Sequence, residues 1–249
     1  MIVDIHTRVW HETDQLGEAI HRHLRRTRRE PWQSIDPSAE ALLTAAEPVE
    51  AAVVHGLISQ RIGAAITAVD VAEVVRRDPA KLLGFAGIDP NDPERIKRLD
   101  ETLQLELVGI NISPALQGFH PSATFALQVF EYCQANGLAI MVEGGGHLAQ
   151  QAVMEFASPL LLDEPLRLFP DLRVCINSLG DPFLQQTMTL IAKHENVYAD
   201  LTGLAQRPWE LYNALITAHQ RNVTDRLLFG SGFPDRKSTR LNSSHTHLS

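Results

Sequence analysis

Three side chains that can do chemistry alternate near the start of the chain. Asp4, His6 and Arg8 are spaced two residues apart, so on a β-strand they point to the same side. An imidazole can bind a metal ion or move a proton, whereas a guanidinium stays protonated and has no lone pair to offer a metal. The pattern therefore predicts a fixed positive charge beside a group suited to acid–base chemistry.

Further candidates follow later apolar runs. Glu143 comes directly after the run AIMV, and His147 follows a turn of three glycines. Glu143 offers a carboxylate that can pair with Arg8. His147 can bind substrate or transfer a proton, or it can be a solvated residue that starts the next helix. His55, which ends an earlier apolar run, is equally ambiguous between a site and a structural role.

A basic run stands out in an otherwise acidic chain. Its five arginines are Arg22, Arg25, Arg26, Arg28 and Arg29. One interpretation is a lid or an anion-binding loop above the first strand. The other is a solvated face whose charge is offset by Glu18 and Glu30.

The elements that must position these residues are short apolar runs separated by amphipathic stretches. The runs are rich in Val, Ile and Leu, which is typical of parallel strands covered on both faces. The predicted strands are 2–5, 51–55, 82–88, 107–112, 138–143, 173–177, 197–200 and 227–230. The predicted helices are 38–46, 67–77, 92–105, 121–135, 158–169, 181–194 and 208–220.

This alternation favours an α/β fold, a (β/α)8 TIM barrel. An open doubly wound sheet is less well supported, because no GxGxxG segment follows a strand. The final outer helix is missing, so the barrel is expected to be cut short after its eighth strand. Residues 12–36 are expected to form a long polar connection between the first strand and the first helix.

Composition excludes several classes of protein. The 249 residues carry a net charge of −8, which argues against nucleic acid as the main partner. The two cysteines do not make a disulfide framework. No apolar run approaches the roughly 18–20 residues that cross a membrane, and no signal peptide is visible. A soluble, cytoplasmic protein is expected, and self-association into a homo-oligomer is left open.

The end of the chain, RKSTRLNSSHTHLS, shows no helical or strand period. It looks like translated vector or adaptor sequence, the alternative being a natural disordered tail. The predicted organisation is a barrel domain over residues 1–235 and an unstructured, non-native tail over residues 236–249. On this interpretation the natural protein is longer.

Six short motifs give the chain a family resemblance. They are VDIHTRVW at 3–10, FAGIDP at 85–90, GINISP with QGF at 109–119, SLGDP at 178–182, NVYADL at 196–201 and LFGSGFP at 228–234. Together they resemble the amidohydrolase-related family, in the branch that includes aminocarboxymuconate-semialdehyde decarboxylase and related lactone and amide hydrolases. The resemblance implies a barrel of the metal-dependent hydrolase type.

The resemblance also implies one divalent metal, usually zinc, held by two histidines of the first strand, a histidine after the fifth and an aspartate after the eighth. A further histidine follows the sixth strand. This chain keeps His6 at the first position. Arg8 stands at the second, Glu143 at the fifth-strand position, Ser178 at the sixth and Gly232 at the eighth.

We therefore predict that no metal is bound and that an Arg8–Glu143 ion pair has taken its place, with His6 hydrogen-bonded into the same network. A buried Arg or Glu without a partner costs several kcal/mol, so one exchange favours the other. Two alternatives stay open. In one, Glu143 faces solvent and Arg8 folds outward; in the other, His6, Glu143 and either His147 or Asp181 form a rebuilt metal site.

The resemblance implies a hydrolase or decarboxylase that acts on a small carboxylated or cyclic substrate. The expected catalytic residues are His6 and Glu143, and the expected substrate-binding residues are Arg8, His147, Ser178 and Asn111, the last standing where the family often has a lysine. The alternative is a pseudoenzyme that uses the barrel to bind a ligand or a partner subunit.

Overall fold

The computed structural model describes residues 2–27 and 36–234. The predicted tail 236–249 lies outside these residues, as do Arg28 and Arg29 of the basic run. The strands are β1 (Val3–Thr7), β2 (Ala51–His55), β3 (Leu57–Ser59), β4 (Ala64–Ile66), β5 (Leu82–Gly87), β6 (Gly109–Ile112), β7 (Ala139–Val142), β8 (Val174–Ile176), β9 (Val197–Asp200) and β10 (Leu227–Leu228).

The α-helices alternate with these strands. They are α1 (Glu18–Thr27), α2 (Ala39–Ala45), α3 (Ala68–Val75), α4 (Arg95–Gln104), α5 (Pro114–Gln117), α6 (Thr124–Asn136), α7 (Asp163–Leu168), α8 (Leu184–Lys193) and α9 (Pro208–Gln220). Short 3-10 helices cover Thr13–Leu16, Met154–Ala157, Pro159–Leu162, Leu204–Gln206 and Thr224–Arg226.

Eight of the strands form one parallel sheet in the order β1-β2-β5-β6-β7-β8-β9-β10, while β3 and β4 form a separate antiparallel pair. The sheet curls until its two edges meet. The amide of Ile5 donates to the carbonyl of Phe229 (2.9 Å), the amide of Gly232 to that of His6 (3.0 Å), and the amide of Arg8 to that of Phe233 (2.9 Å). The predicted TIM barrel is confirmed, and each of its eight strands corresponds to one of the eight predicted strands.

The strands form where they do because their side chains are covered on both faces. Every residue of β6 is buried, as are Ile140, Met141 and Val142 of β7, which is the burial expected of parallel strands between a packed interior and outer helices. None of the helices within the described residues combines the length and apolar character that crossing a bilayer requires.

Three features differ from the sequence-based expectation. The 12–36 connection is not simply polar, because α1 forms within it and Leu16 and Ile20 are buried. The β3–β4 hairpin was not predicted, since three-residue strands are too short to show a period. The predicted helix 158–169 is divided into the 3-10 turn Pro159–Leu162 and α7.

Closure of the barrel generates a first prediction. One Asp4 carboxylate oxygen accepts hydrogen bonds from the amides of Ser231 (2.8 Å) and His6 (3.3 Å), and Asp4 is fully buried. Asp4→Ala should lower the free energy of unfolding by about 2–3 kcal/mol, because hydrogen bonds to a charged group are lost between the first and last strands. Urea denaturation measures this. Asp225→Ala, on an exposed residue, is the control, and equal losses in both variants would contradict the prediction.

Candidate functional site

A cavity of about 560 Å³ opens at the carboxyl ends of the barrel strands, the end at which TIM barrels carry their sites. Its wall includes His6 and Arg8 from the first strand and the residue after it, and Glu143 immediately after β7. Ser178 and Gly232 follow β8 and β10 and line the same cavity. The loops that follow four different strands therefore converge on one space.

Glu143 accepts hydrogen bonds from three other side chains at the floor of the cavity. Its Oε1 accepts hydrogen bonds from a terminal guanidinium nitrogen of Arg8, from Asn111 Nδ2 (3.0 Å) and from His6 Nε2 (3.3 Å). The Glu143 side chain is 7% exposed and that of Arg8 15%. The predicted contact between Arg8 and Glu143 is therefore present, with His6 in the same network. The arrangement in which both side chains turn outward does not occur.

The charge state of Glu143 follows from two opposed effects. Burial alone would raise the pKa of its carboxyl group, but the Arg8 guanidinium and the hydrogen bond from His6 together hold that pKa well below its ordinary value. These contacts therefore favour the ionised carboxylate over its protonated form. It can accept hydrogen bonds, but it is a weak base.

Each partner of this pair keeps one polar atom for a ligand. Within the described residues, Arg8 donates through Nε to the carbonyl of His55 (3.4 Å) and through Nη2 to Glu143. Nη1 has no partner among those residues, and neither does Glu143 Oε2. Both side chains line the cavity, so these two atoms are the candidates to contact a ligand there.

His55 lies behind this floor and holds it in place. Its ring is fully buried, packs 5.1 Å from the His6 ring and 5.0 Å from that of Phe85, and donates through Nε2 to the carbonyl of Ile5 (2.8 Å). Burial and the neighbouring His6 lower the pKa of His55 to about 3. Its structural role is thus clear: a neutral imidazole that ties β2 to β1 between His6 and Arg8.

Asn111 was predicted to contact substrate, but its side chain lies beneath Glu143. It is 1% exposed, donates to the carbonyl of Gly56 (2.8 Å) as well as to Glu143, and does not line the cavity. The amide occupies the lysine position of the family and uses it to orient the carboxylate.

Ser178 reaches the cavity from a strained turn. Both Ser178 (φ 53°) and Leu179 (φ 51°) adopt the left-handed conformation, which non-glycine residues avoid. The buried carboxylate of Asp200 holds this turn, because it accepts hydrogen bonds from the amide of Ser178 (2.8 Å) and from Asn177 Nδ2 (3.1 Å). The residue pattern gave no sign of this turn or of the role of Asp200.

His147 and Asp181 stand further out. His147 is exposed at the cavity rim, with its ring 5.8 Å from that of His23. Asp181 forms an ion pair with Arg207 Nη2 (2.7 Å), and Arg207 Nη1 forms a second ion pair with Glu210 (2.7 Å). Neither His147 nor Asp181 joins His6 and Glu143 in a shared cluster.

These donor atoms do not fit a divalent metal ion. His6 Nε2 and Glu143 Oε1 are directed at each other, and a guanidinium fills the space beside them. Gly232 (φ 72°) has no room for a ligand side chain, since a Cβ there would lie 2.9 Å from Thr202 Cγ2. Across residues 2–27 and 36–234, no group of three or more His, Cys, Asp or Glu is placed to hold a metal.

The fold and these strand-end positions agree with a sequence comparison. The family model described as amidohydrolase matches residues 3–243. The chain belongs to the amidohydrolase family. A comparison with curated proteins found no match to this chain.

Solved structures resemble this chain over nearly its whole length. An uncharacterized TIM-barrel protein from Bordetella bronchiseptica has a TM-score of 0.78 at 22% identity, covering 99% of this chain and 91% of its own. 2,6-Dihydroxybenzoate decarboxylase from Rhizobium has a TM-score of 0.73 at 13% identity, with coverages of 97% and 90%. A probable 2-pyrone-4,6-dicarboxylic acid hydrolase from Acinetobacter baumannii has a TM-score of 0.64 at 13% identity, covering 97% of this chain and 86% of its own. At these identities the likeness establishes the fold.

The strained turn generates a second prediction. Ser178→Gly should raise the free energy of unfolding by about 0.5–1 kcal/mol, because glycine adopts φ near 50° without a Cβ clash, while any carboxylate ligand that contacts the Ser178 hydroxyl should bind less tightly. The control is Glu106→Gly, which relieves the same strain (φ 56°) at an exposed residue distant in sequence from Ser178. It should stabilise the protein similarly and leave ligand binding unchanged. A loss of stability in Ser178→Gly alone would contradict the prediction.

The buried His55 generates a third. The pKa of an unfolded histidine is near 6.5, whereas the pKa of folded His55 is about 3. At a pH between these two values, His55 therefore takes up a proton when the protein unfolds. The free energy of unfolding should therefore fall as the pH drops below 6.5, with His55 contributing up to about 1.4 kcal/mol per pH unit. Urea melts from pH 7 to 4 measure this slope.

His55→Gln should flatten that slope, whereas His219→Gln, at an exposed histidine of α9, should leave it as in the wild type. Equal slopes in wild type and His55→Gln would show that His55 is not kept neutral by the fold.

Proposed function

We propose that this protein binds a small carboxylated or cyclic molecule at the mouth of its barrel and hydrolyses or decarboxylates it without a metal ion. The observation that carries the proposal is the contact between Arg8 and Glu143 at the cavity floor. The half-buried guanidinium of Arg8 stands where the resemblance expects the second metal-binding histidine, and its charge is matched by the carboxylate at the fifth-strand position.

Arg8 is the proposed anchor for the ligand. A guanidinium presents its donors in a planar fork that suits a carboxylate or a carbonyl oxygen, and Nη1 remains for that purpose. Glu143 Oε2 can accept a hydrogen bond from a hydroxyl group or a water molecule next to the anchored group. The solved structures of a dihydroxybenzoate decarboxylase and a pyrone-dicarboxylate hydrolase support the class of ligand, since both names specify cyclic carboxylates.

Either reaction needs one proton transfer at this floor. In decarboxylation, the bond to the carboxylate carbon breaks, carbon dioxide leaves, and the remaining electron pair takes up a proton. In hydrolysis, a water oxygen bonds to the carbonyl carbon, the ring oxygen or nitrogen leaves, and the proton lost by water goes to the leaving group. His6 is the proposed proton carrier, because an imidazole both accepts and donates and Glu143 stays ionised beside it.

A non-catalytic role is the second candidate, and one observation favours it. His6 Nδ1 is buried and has no hydrogen-bond partner among the described residues, while His6 Nε2 is engaged by Glu143. With His6 Nε2 engaged and Glu143 held as a weak base, neither of the two expected catalytic residues is well placed to take a proton from a ligand. A barrel that binds its ligand and performs no reaction would look the same.

The fourth prediction tests the anchor and the metal together. Elemental analysis of the purified full chain should find far less than one equivalent of zinc or manganese. Wild type should bind benzoate in calorimetry, and the double variant Arg8→Met/Glu143→Gln should lose at least about tenfold in affinity, because both charges leave together and no buried ion is left alone. Arg77→Met/Glu40→Gln removes an exposed ion pair (2.9 Å) elsewhere and should bind like wild type.

One equivalent of bound metal, or unchanged benzoate binding in the Arg8 double variant, would refute the proposal. Mass spectrometry of hydroxybenzoates and cyclic esters incubated with excess protein and a chelator separates the two candidates. Chelator-resistant turnover that is lost in His6→Gln supports the enzyme, and tight binding without product supports the non-catalytic barrel.

A further inference from the structure

Helix α9 turns an apolar face toward solvent. Ala214 and Ala218 are buried in the core. Trp209, Tyr212 and Ile216 stand three and four residues apart, so they share the face that points away from these alanines, and all three are exposed. With the neighbouring exposed leucine they form what we call the α9 stripe: Trp209, Tyr212, Leu215 and Ile216.

Two aromatic rings dominate the α9 stripe. Trp209 is 75% exposed and Tyr212 is 58% exposed, and the rings stack with their centroids 6.2 Å apart and their planes at 24°. In the described part of the chain, these two are the exposed tryptophan and tyrosine side chains. Tryptophan and tyrosine are the residues that most often contribute the largest share of the binding energy in protein interfaces.

A groove lies beside the α9 stripe, between α8 and α9. Its volume is about 200 Å³, and its wall includes Leu184 and Met188 of α8 and Trp209 and Thr217 of α9. The stripe is a ridge on the same surface, and Trp209 belongs to both. A surface that carries a ridge next to a groove can pack against a second copy of itself, because a twofold axis places the ridge of each copy against the groove of the other.

The electrostatics of this surface also suit a second copy. Two chains that each carry a net charge of −8 repel each other, so they can approach only where the surface is locally neutral. Glu210 is the one acidic residue of α9, and Arg207 Nη1 pairs with it (2.7 Å). Asn213 and Gln220, which are exposed beside the stripe, carry no charge.

The outer helix α4 shows the usual alternative. Five of its ten residues are charged: Arg95, Lys97, Arg98, Asp100 and Glu101. Exposed apolar residues on α4, such as Ile96, therefore stand among charges, whereas those of α9 adjoin one another. The contrast identifies α9 as the face suited to lose contact with water.

The area of the α9 stripe is in the range that a dimer requires. An exposed aromatic side chain offers about 150–250 Å² and an aliphatic one somewhat less, so the four side chains together expose about 400–500 Å². An interface of standard size buries about 800 Å² on each partner, and weaker ones bury less. Asn213, His219 and Gln220, exposed around the stripe, supply the polar rim that brings the surface toward this area.

We propose that two copies of this chain associate through the α9 stripe, with their α9 helices antiparallel across a twofold axis. An axis at the level of Ala214 places Tyr212 of one copy at the level of Ile216 of the other, and Trp209 at the level of His219, because positions on either side of the axis exchange. No residue of the stripe lines the cavity at the barrel mouth, so the dimer does not depend on the reaction proposed there.

Sedimentation velocity of the full chain tests the dimer. Wild type should change from monomer to dimer between about 1 and 100 µM, with a Kd of about 10 µM or tighter. Ile216→Glu places a carboxylate of each copy near the axis and should weaken the dimer at least about tenfold. The matched control is Ile96→Glu on α4, since Ile96 is 39% exposed and Ile216 42%; it should associate as wild type does.

A charge exchange tests whether the two α9 helices meet each other. Ile216→Lys alone should also be monomeric. An equimolar mixture of Ile216→Glu and Ile216→Lys should regain dimers, because opposite charges then face each other across the axis. Circular dichroism establishes that each variant is folded.

Several outcomes would overturn the proposal. A dimer that persists in Ile216→Glu has its interface elsewhere, and folded variants that fail to associate when mixed exclude the antiparallel pair. A wild type that stays monomeric throughout also refutes it. In that case, a loss of stability to urea in Ile216→Glu but not in Ile96→Glu would indicate that residues 235–249 of the same chain cover the stripe, and no loss in either would indicate a different partner.

Discussion

The ion pair between Arg8 and Glu143 constrains the rest of the site, because neither charge can be buried without the other. A lone buried ion costs several kcal/mol, so each residue makes the other necessary. The surrounding groups complete the pair. Asn111 and His6 donate to the same carboxylate oxygen, and the carbonyl of His55 accepts from the guanidinium. The positive charge of Arg8 at the cavity is thus balanced by the protein itself.

The Arg8–Glu143 ion pair is poorly explained as a means of stabilising the fold. Replacing a buried ion pair with apolar side chains of similar volume is often neutral or stabilising. The pair nevertheless sits on the cavity wall, with one donor and one acceptor left for a ligand, and a second polar layer orients it. An apolar pair could serve a purely structural barrel equally well. The position of the ion pair is therefore better explained by ligand recognition than by folding.

The barrel could be predicted from sequence because each strand is a local apolar run and parallel pairing hides both faces. The Arg8–Glu143 contact could be predicted from two local features. The alternation of Asp4, His6 and Arg8 indicates which face of the first strand Arg8 is on, and Glu143 comes at the carboxyl end of the apolar run that forms β7. His55 and Asp200 could not be assigned. Their roles depend on which carbonyl or amide faces them across neighbouring strands, and register across strands leaves no mark in the local pattern.

The helix α1 could not be predicted for a related reason. Its inward residues, Leu16 and Ile20, are few, and the basic run around them reads as solvated until the opposite wall is known. The structure places that wall at His147, so the polarity of α1 on this side is turned toward another polar group and not toward water alone.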